Sequence, residues 1–227
     1  MNILALDTST EACSAALLTD NGINERFEIA PRGHAMLILP MLEQLLREAG
    51  LTLRQIDAVA FGRGPGAFTG VRIAASVAQG VAFGAELPVI AVSSLAALAQ
   101  GALRERGMRR VAAAIDARMG EVYFAAYQSN LEHLMELRGD EGIYPPRQAP
   151  LLEGEGWFAA GSGWLAHGAA LREHLAGHIG AVDAARYPHA QDVARLAATQ
   201  LKQGLVVDAE QALPVYLRNE VTWKKSM

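Results

Sequence analysis

The sequence predicts an α/β fold of two lobes in which one β-hairpin-containing unit occurs twice. Two apolar runs carry this prediction, because each ends in an aspartate, Asp7 in the first unit and Asp116 in the second. A returning apolar strand follows each aspartate, and aligning the two aspartates superposes similar residues along both units, as expected of an internal duplication. The lobes are predicted to span residues 1–106 and 107–227.

Strands and helices alternate along the first half. Residues 3–6 are a short apolar run that ends in a polar turn, which indicates a buried strand. A second strand at 12–19 is followed by the hairpin turn Asp20-Asn21-Gly22. The other elements predicted here are a strand at 24–29, a helix at 35–49 ended by Gly50, a strand at 58–61, a helix at 68–83, a strand at 89–92 and a helix at 95–106 capped by Ser93 or Ser94.

The second half repeats the opening and then departs from it. Its first two strands are predicted at 111–116 and 121–127, and a proline-rich loop follows at 144–150. The remaining elements are predicted as a strand at 157–160, a helix near 164–175, a last helix at about 190–203 and an extended tail at 213–218. We expect that the last helix can pack back on the first lobe.

Composition indicates a globular, cytoplasmic protein. Of the 227 residues 51% are hydrophobic and 19% charged, and 20 basic residues face 24 acidic ones. Basic pairs occur only as Arg109-Arg110 and Lys224-Lys225, so the chain alone is expected to bind nucleic-acid phosphates poorly. The single cysteine, Cys13, excludes an internal disulfide and is expected to be a small buried side chain. Neither a leader nor an apolar stretch long enough for a membrane span is evident.

The two aspartates define a candidate cleft. Paired hairpins that end in aspartate are typical of the actin, hexokinase and sugar-kinase (ASKHA) architecture, in which the hairpin turns cradle phosphates across a cleft. The alternative is that each aspartate only caps its own turn. Both interpretations stay open, and the candidate cleft residues are Asp7, Thr8, Ser9, Asp116, Gly64 and Gly66.

The glycine-rich segment at 62–72 lies between a predicted strand and a helix. It lacks the Gly-Lys-Ser/Thr ending of a Walker loop and the third glycine of a dinucleotide fingerprint. It offers a sharp backbone turn and donor amides at a helix start, with Arg63 and Arg72 nearby. A tight strand-to-helix turn without a ligand explains the same pattern.

Three segments together resemble the bacterial TsaB (YeaZ) family: Asp7–Thr10, Gly64–Arg72 and Asp116–Tyr123. The match extends over nearly the whole chain and includes the tail Pro214–Arg218. The resemblance implies a cytoplasmic, non-catalytic subunit of the complex that forms N6-threonylcarbamoyladenosine in tRNA beside the anticodon. Its partners would be the paralogous enzyme TsaD, the ATPase TsaE and, in the absence of TsaD, a second copy of itself.

The same resemblance makes tRNA a partner only through the complex and implies no membrane and no cofactor, while leaving open a nucleotide at the complex interface. TsaD-type enzymes carry a metal-binding His-x-x-x-His, and by our alignment Ser94 and Leu98 occupy its ligand positions here. Leucine cannot ligate a metal, so no metal is expected. On a continuous helix, His167, His174 and His178 would share one face with ligand-like spacing, but a solvated helix face is the favoured interpretation.

Two helices are candidates for a partner interface. The helix at 35–49 is apolar over more than the arc that one sheet face can cover, and the next helix carries small residues at helical spacing. Burial against the second lobe of the same chain is the competing interpretation. The predicted interface residues are Met36, Leu37, Met41, Leu45, Gly70, Ala74 and Ala78.

Two other functions are compatible with parts of the sequence. The duplicated hairpins allow an ATP-dependent small-molecule kinase, and the relation to TsaD allows a metalloendopeptidase-like protein. The absent histidine pair argues against the second. We expect a protein that is not itself an enzyme.

Overall fold

The computed structural model describes residues 1–218 and consists of two lobes, each built on a five-stranded mixed sheet, which confirms the predicted fold class. The first half contains β1 (Ile3–Asp7), β2 (Ala12–Thr19), β3 (Gly22–Ile29), α1 (His34–Ala49), β4 (Ala58–Gly62), α2 (Phe68–Ala85), β5 (Val89–Val92) and α3 (Ser94–Arg106). The second half contains β6 (Arg110–Arg118), β7 (Glu121–Ser129), β8 (Met135–Tyr144), β9 (Trp157–Ala160), α4 (Ser162–His174), β10 (Ile179–Asp183) and α5 (Ala190–Lys202).

The two sheets have the same topology. Their strand orders are β3-β2-β1-β4-β5 and β8-β7-β6-β9-β10, so each strand of the first unit has an equivalent in the second. In both units an antiparallel hairpin, β1–β2 or β6–β7, lies beside parallel strands. The aspartates Asp7 and Asp116 stand at equivalent ends of β1 and β6.

Helices α1 and α2 cover one face of the first sheet, and α5 covers the other. The first core joins Ile38 and Leu42 of α1 with Ala74 and Ala78 of α2. Helix α5 comes from the second half of the chain yet contributes Val193 and its neighbours to the core on the opposite face.

Helix α3 makes the reciprocal exchange. It follows the first sheet in sequence, but its residues Leu95 and Leu98 pack with Val111 and Phe158 of the second sheet. Its N-terminus is fixed by Ser93, whose Oγ accepts hydrogen bonds from the backbone amides of Leu95 and Ala96. Helices α3 and α5 therefore connect the two lobes.

Two strands differ from the sequence-based expectation. Strands β8 and β10, at the edges of the second sheet, were not predicted. Helix α4 ends at His174, close to the predicted end, and His167 has non-helical backbone angles, so the three histidines do not lie on one continuous helix. Within residues 1–218, no helix has the length and apolar character that a membrane crossing requires.

Candidate functional site

A cleft of about 910 Å³ lies between the lobes. Its walls are the turn after β1, the N-terminus of α2, the β6–β7 hairpin turn and the tail segment around Tyr216. Of the predicted cleft residues, Ser9, Gly66 and Asp116 line it. The prediction is wrong for the other three, Asp7, Thr8 and Gly64, which are buried beneath the cleft wall.

Asp7 is sealed inside the first lobe, with 1% of its surface exposed. Its Oδ1 accepts hydrogen bonds from the amide nitrogen and the hydroxyl of Ser9, at 2.8 and 2.7 Å, and its Oδ2 accepts one from Ser94 Oγ at 3.1 Å. Burial raises the pKa of the Asp7 carboxyl above its usual range, although these hydrogen bonds oppose the shift. The hydrogen bonds of this carboxyl group thus hold the turn together, and the group is not accessible to a ligand.

Asp116, the duplicate of Asp7, does reach the cleft. Its carboxylate accepts a hydrogen bond from the Arg118 amide at 2.9 Å and pairs with the Arg118 guanidinium at 3.0 Å. His167 Nε2 lies 3.4 Å from Asp116 Oδ1. The two equivalent aspartates therefore have different environments: Asp7 is fully buried and hydrogen-bonded, and Asp116 is partly buried beside an arginine.

The glycine-rich segment packs on the first turn. A Cβ at Gly66 would lie 2.2 Å from the carbonyl oxygen of Ser9, and one at Gly70 would lie 2.0 Å from that of Thr8. The Ala67 amide donates to the same Ser9 oxygen at 2.7 Å, and Thr8 Oγ1 donates to the Gly70 carbonyl at 2.7 Å. These glycines permit close backbone contact, which matches the interpretation as a tight turn without a ligand.

Most of the predicted interface residues face the core of the chain itself. Met41 and Leu45 pack in the first core beside the sheet, and Gly70, Ala74 and Ala78 are also buried. For these five residues the prediction of an accessible surface is wrong, because α1 and α2 turn their closely spaced apolar and small residues toward the sheet. Leu37 is half-buried, whereas Met36 is 80% exposed.

A different part of the same helices is open to solvent. We define the outer α1–α2 surface as Met36, Leu39, Gly80, Phe83 and Gly84. Phe83 is 70% exposed, and a Cβ at Gly80 or Gly84 would meet no atom within 4 Å. On α2 the exposed Phe83 side chain lies within one helical turn of both glycines, an arrangement that allows another helix to approach closely. The Gly80-x-x-x-Gly84 spacing was visible in the sequence, but the exposure of Leu39 and Phe83 was not.

Comparison with known proteins agrees with the resemblance seen in the sequence. The family model described as "TsaD: tRNA N6-adenosine threonylcarbamoyltransferase" matches residues 22–226. A relative from Escherichia coli K12, named tRNA threonylcarbamoyladenosine biosynthesis protein TsaB, is 46% identical over 99% of this chain and 98% of its own length. The chain belongs to the TsaB family. A TsaB of Haemophilus influenzae is 44% identical over 99% of this chain and 97% of its own length.

A solved TsaB-family structure supports the fold. The structure titled YeaZ from Pseudomonas aeruginosa has a TM-score of 0.89 and 52% identity, covering 95% of this chain and 99% of its own. The duplicated lobes are therefore a property that this chain shares with a close TsaB-family relative.

Ser94 and Leu98, the two residues that the sequence alignment assigns to metal-ligand positions, make other contacts in this TsaB-family chain. The Ser94 hydroxyl donates to Asp7, and Leu98 is fully buried in the core below α3. The three later histidines do not converge: His174 Nε2 is 2.8 Å from the Ala149 carbonyl oxygen, and His178 Nδ1 is 2.7 Å from that of Gly154. Within residues 1–218, no group of three or more His, Cys, Asp or Glu side chains is arranged to hold a metal ion.

Proposed function

We propose that this chain is a non-catalytic subunit in the synthesis of N6-threonylcarbamoyladenosine in tRNA and that it acts by pairing with a TsaD enzyme. The outer α1–α2 surface is the observation that carries the proposal. It combines exposed apolar side chains with open helix backbone, and nothing in the described part of the chain covers it. In the absence of TsaD, we propose that a second copy of the chain covers the same surface.

The chemistry of the inter-lobe cleft favours a subunit over an enzyme. Asp7 has three hydrogen-bond donors around it and no exposed oxygen for a metal or substrate. The amide of Ala67, at the start of α2, is hydrogen-bonded to Ser9 and is not free to bind a phosphate. We therefore propose no cofactor for the chain alone, with TsaE and tRNA engaged through the complex.

An ATP-dependent kinase remains the second candidate because the cleft is large and lies where such enzymes bind nucleotide. A kinase function predicts that the purified chain turns over ATP and that Asp116→Asn abolishes this turnover. Our proposal predicts no turnover above that of a buffer blank. A metalloendopeptidase would need a metal site, which none of the described side chains provides.

The test is pairing with TsaD. Met36→Asp and Phe83→Asp each place a carboxylate on the outer α1–α2 surface, where burial of an unpaired charge costs several kcal/mol. We expect each variant to remain folded as a monomer and to lose at least about a hundredfold in affinity for TsaD. The matched control is Leu131→Asp, at a side chain that is 94% exposed in the β7–β8 turn of the other lobe.

Formation of modified tRNA by purified TsaD, TsaE and each variant provides the functional measurement. Modification should fall in proportion to the loss of pairing and should recover at high concentrations of the variant. Normal pairing of both Met36→Asp and Phe83→Asp would exclude the surface as the interface. Normal modification in the complete absence of the chain would exclude the proposed function itself.

A further inference from the structure

The tail of the described chain crosses the inter-lobe cleft. We call residues Ala212–Arg218 the C-terminal strap. It begins at Ala212, which is buried in the first core and whose carbonyl accepts a hydrogen bond from Gln79 Nε2 of α2 at 3.2 Å. From there the strap runs outside any helix or strand, and Val215, Tyr216 and Arg218 line the cleft.

On the first lobe, the strap packs against the glycine-rich loop. The Val215 amide donates to the Arg63 carbonyl at 2.9 Å. Gly64 has a φ of 94°, and a Cβ there would lie 3.4 Å from the Val215 carbonyl oxygen and 3.1 Å from a methyl group of Val71. This loop, which the sequence offered as a phosphate cradle, therefore contacts the backbone of the strap.

The middle of the strap contacts the start of α2 through an arginine. The Arg72 guanidinium carbon lies 3.2 Å from the ring centre of Phe68 and 4.8 Å from that of Tyr216. A guanidinium in contact with two aromatic rings is attracted to both of them, so the cation links the strap to the helix.

Arg218 anchors the strap to the second lobe. Its Nη2 donates to the Ala117 carbonyl at 3.1 Å and to Glu121 Oε2 at 2.6 Å. These acceptors flank the β6–β7 turn, where Arg118 and Met119 have φ values of 62° and 56° and the carbonyl of Ala117 is turned toward the cleft. Only 19% of the Arg218 side chain is exposed, and its contact with the Glu121 carboxylate is a charge-assisted hydrogen bond.

We propose that the C-terminal strap ties the two lobes together across the mouth of the cleft, and that release of Arg218 lets the lobes separate. Among the described residues the lobes are also joined through α3 and α5, which pack on the two sheets, and by the ion pairs Arg118–Glu11 at 3.4 Å and Arg63–Glu141 at 3.6 Å. A contact across the cleft restricts hinge opening about those helices. This proposal does not depend on pairing with TsaD.

Hydrogen–deuterium exchange of the full chain tests the strap. Arg218→Ala removes the anchor, and Arg218→Lys keeps the charge but replaces the planar guanidinium with a single ammonium on a shorter side chain. We expect the amides of Val215 and of the β6–β7 turn to exchange about tenfold faster or more in both variants, because removing a charge-assisted hydrogen bond promotes local opening. The matched control is Arg172→Ala, at an exposed arginine of α4, which should leave these amides unchanged.

Two results would overturn the proposal. Exchange of the turn amides at the wild-type rate in Arg218→Ala would show that the anchor does not restrain the lobe. Equal acceleration in β1 and β6 would show that the variant destabilises the whole fold instead of releasing one anchor.

A distance measurement provides an independent readout. Cysteines introduced at Arg54 in the first lobe and Leu131 in the second can carry spin labels, because both positions are exposed and the native Cys13 is buried. Labelled chains are diluted with unlabelled ones to remove signals between copies. We expect a longer and broader inter-lobe distance distribution in Arg218→Ala than in the wild type and in Arg172→Ala. Identical distributions in all three would contradict the strap.

Discussion

Two glycines on one helix should respond to alanine in opposite directions. Gly70 and Gly80 both lie in α2, so the helical backbone is matched. At Gly70 a Cβ would lie 2.0 Å from the Thr8 carbonyl oxygen, whereas at Gly80 it would meet nothing within 4 Å. Gly70→Ala therefore tests the packing that seals the first turn, and Gly80→Ala tests whether the outer surface is open.

The magnitudes follow from two opposing effects. Alanine favours a helix interior over glycine by about 0.5–1 kcal/mol, a gain that Gly80→Ala should keep in full. At Gly70 the added carbon would push α2 away from the Thr8 carbonyl oxygen. This shift would also lengthen the 2.7 Å hydrogen bond from Thr8 Oγ1 to the Gly70 carbonyl. Overpacking of this kind costs about 1–3 kcal/mol, so we expect a net loss of about 1–2 kcal/mol after the helical gain is subtracted.

Thermal and denaturant unfolding measure both effects. For a chain of this size 1 kcal/mol corresponds to about 2–4 °C in Tm, so Gly70→Ala should melt about 2–8 °C lower and Gly80→Ala about 1–4 °C higher. Melting must be followed over a range of protein concentrations, because a change in self-association at Gly80 would also shift Tm. Unchanged stability of Gly70→Ala would refute the close packing of the first turn on α2. A destabilised Gly80→Ala monomer would refute the open face.

The other predictions concern buried groups and metal. Burial raises the pKa of Asp7, so its ionisation disfavours the folded state, and the free energy of unfolding should fall as pH rises from 3.8 through the raised value. Asp7→Asn should remove that fall in pH-dependent unfolding, whereas Asp7→Ala should cost about 2–4 kcal/mol at neutral pH, because it leaves buried donors of Ser9 and Ser94 unpaired. An unchanged pH profile in Asp7→Asn would exclude Asp7 as its source. The Cys13 thiol, whose pKa burial raises to about 11, should react with thiol reagents at a pH of about 8 only after unfolding, and fast labelling of the native protein would contradict its burial. Elemental analysis of the untagged protein should detect no stoichiometric zinc or iron, and one metal per chain that is lost in His174→Ala would overturn this expectation.

The repeated unit was predictable because its signal is local. An apolar run, an aspartate and a returning strand lie within about twenty residues in each copy, and the alternation of strands and helices follows from apolar periodicity. Strands β8 and β10 carry no such signal. Four of the ten residues of β8 are charged and two are glycines, Gly139 and Gly142, and as an edge strand it needs no continuous apolar face.

The candidate site was harder to predict because its environment comes from distant residues. The sequence presents Asp7 and Asp116 as equivalent, but Ser94 of α3 donates to the first and His167 of α4 lies beside the second. On α1 the surplus of apolar residues was evident, yet only the packing against the sheet decides that Leu45 points inward and Met36 outward. Such assignments depend on contacts that residue spacing does not specify.

The turn that carries Asp7 differs from its duplicate at Asp116 because it packs against helix α2. In the first lobe the polar groups of the turn face the protein interior. The Asp7 carboxyl group accepts a hydrogen bond from the Ser9 amide, and the carbonyl oxygens of Thr8 and Ser9 lie close to Gly70 and Gly66. This packing holds the N-terminal half of α2 rigidly on the sheet, where a ligand-binding turn would need free amides. A rigid helix loses less entropy on association than a mobile one. The turn, although its carboxylate is buried, should therefore favour binding at the outer surface of the helix that it holds in place. If the proposed pairing with TsaD is correct, Gly70→Ala should therefore weaken TsaD binding in a pull-down or titration as well as the fold, although Gly70 is buried.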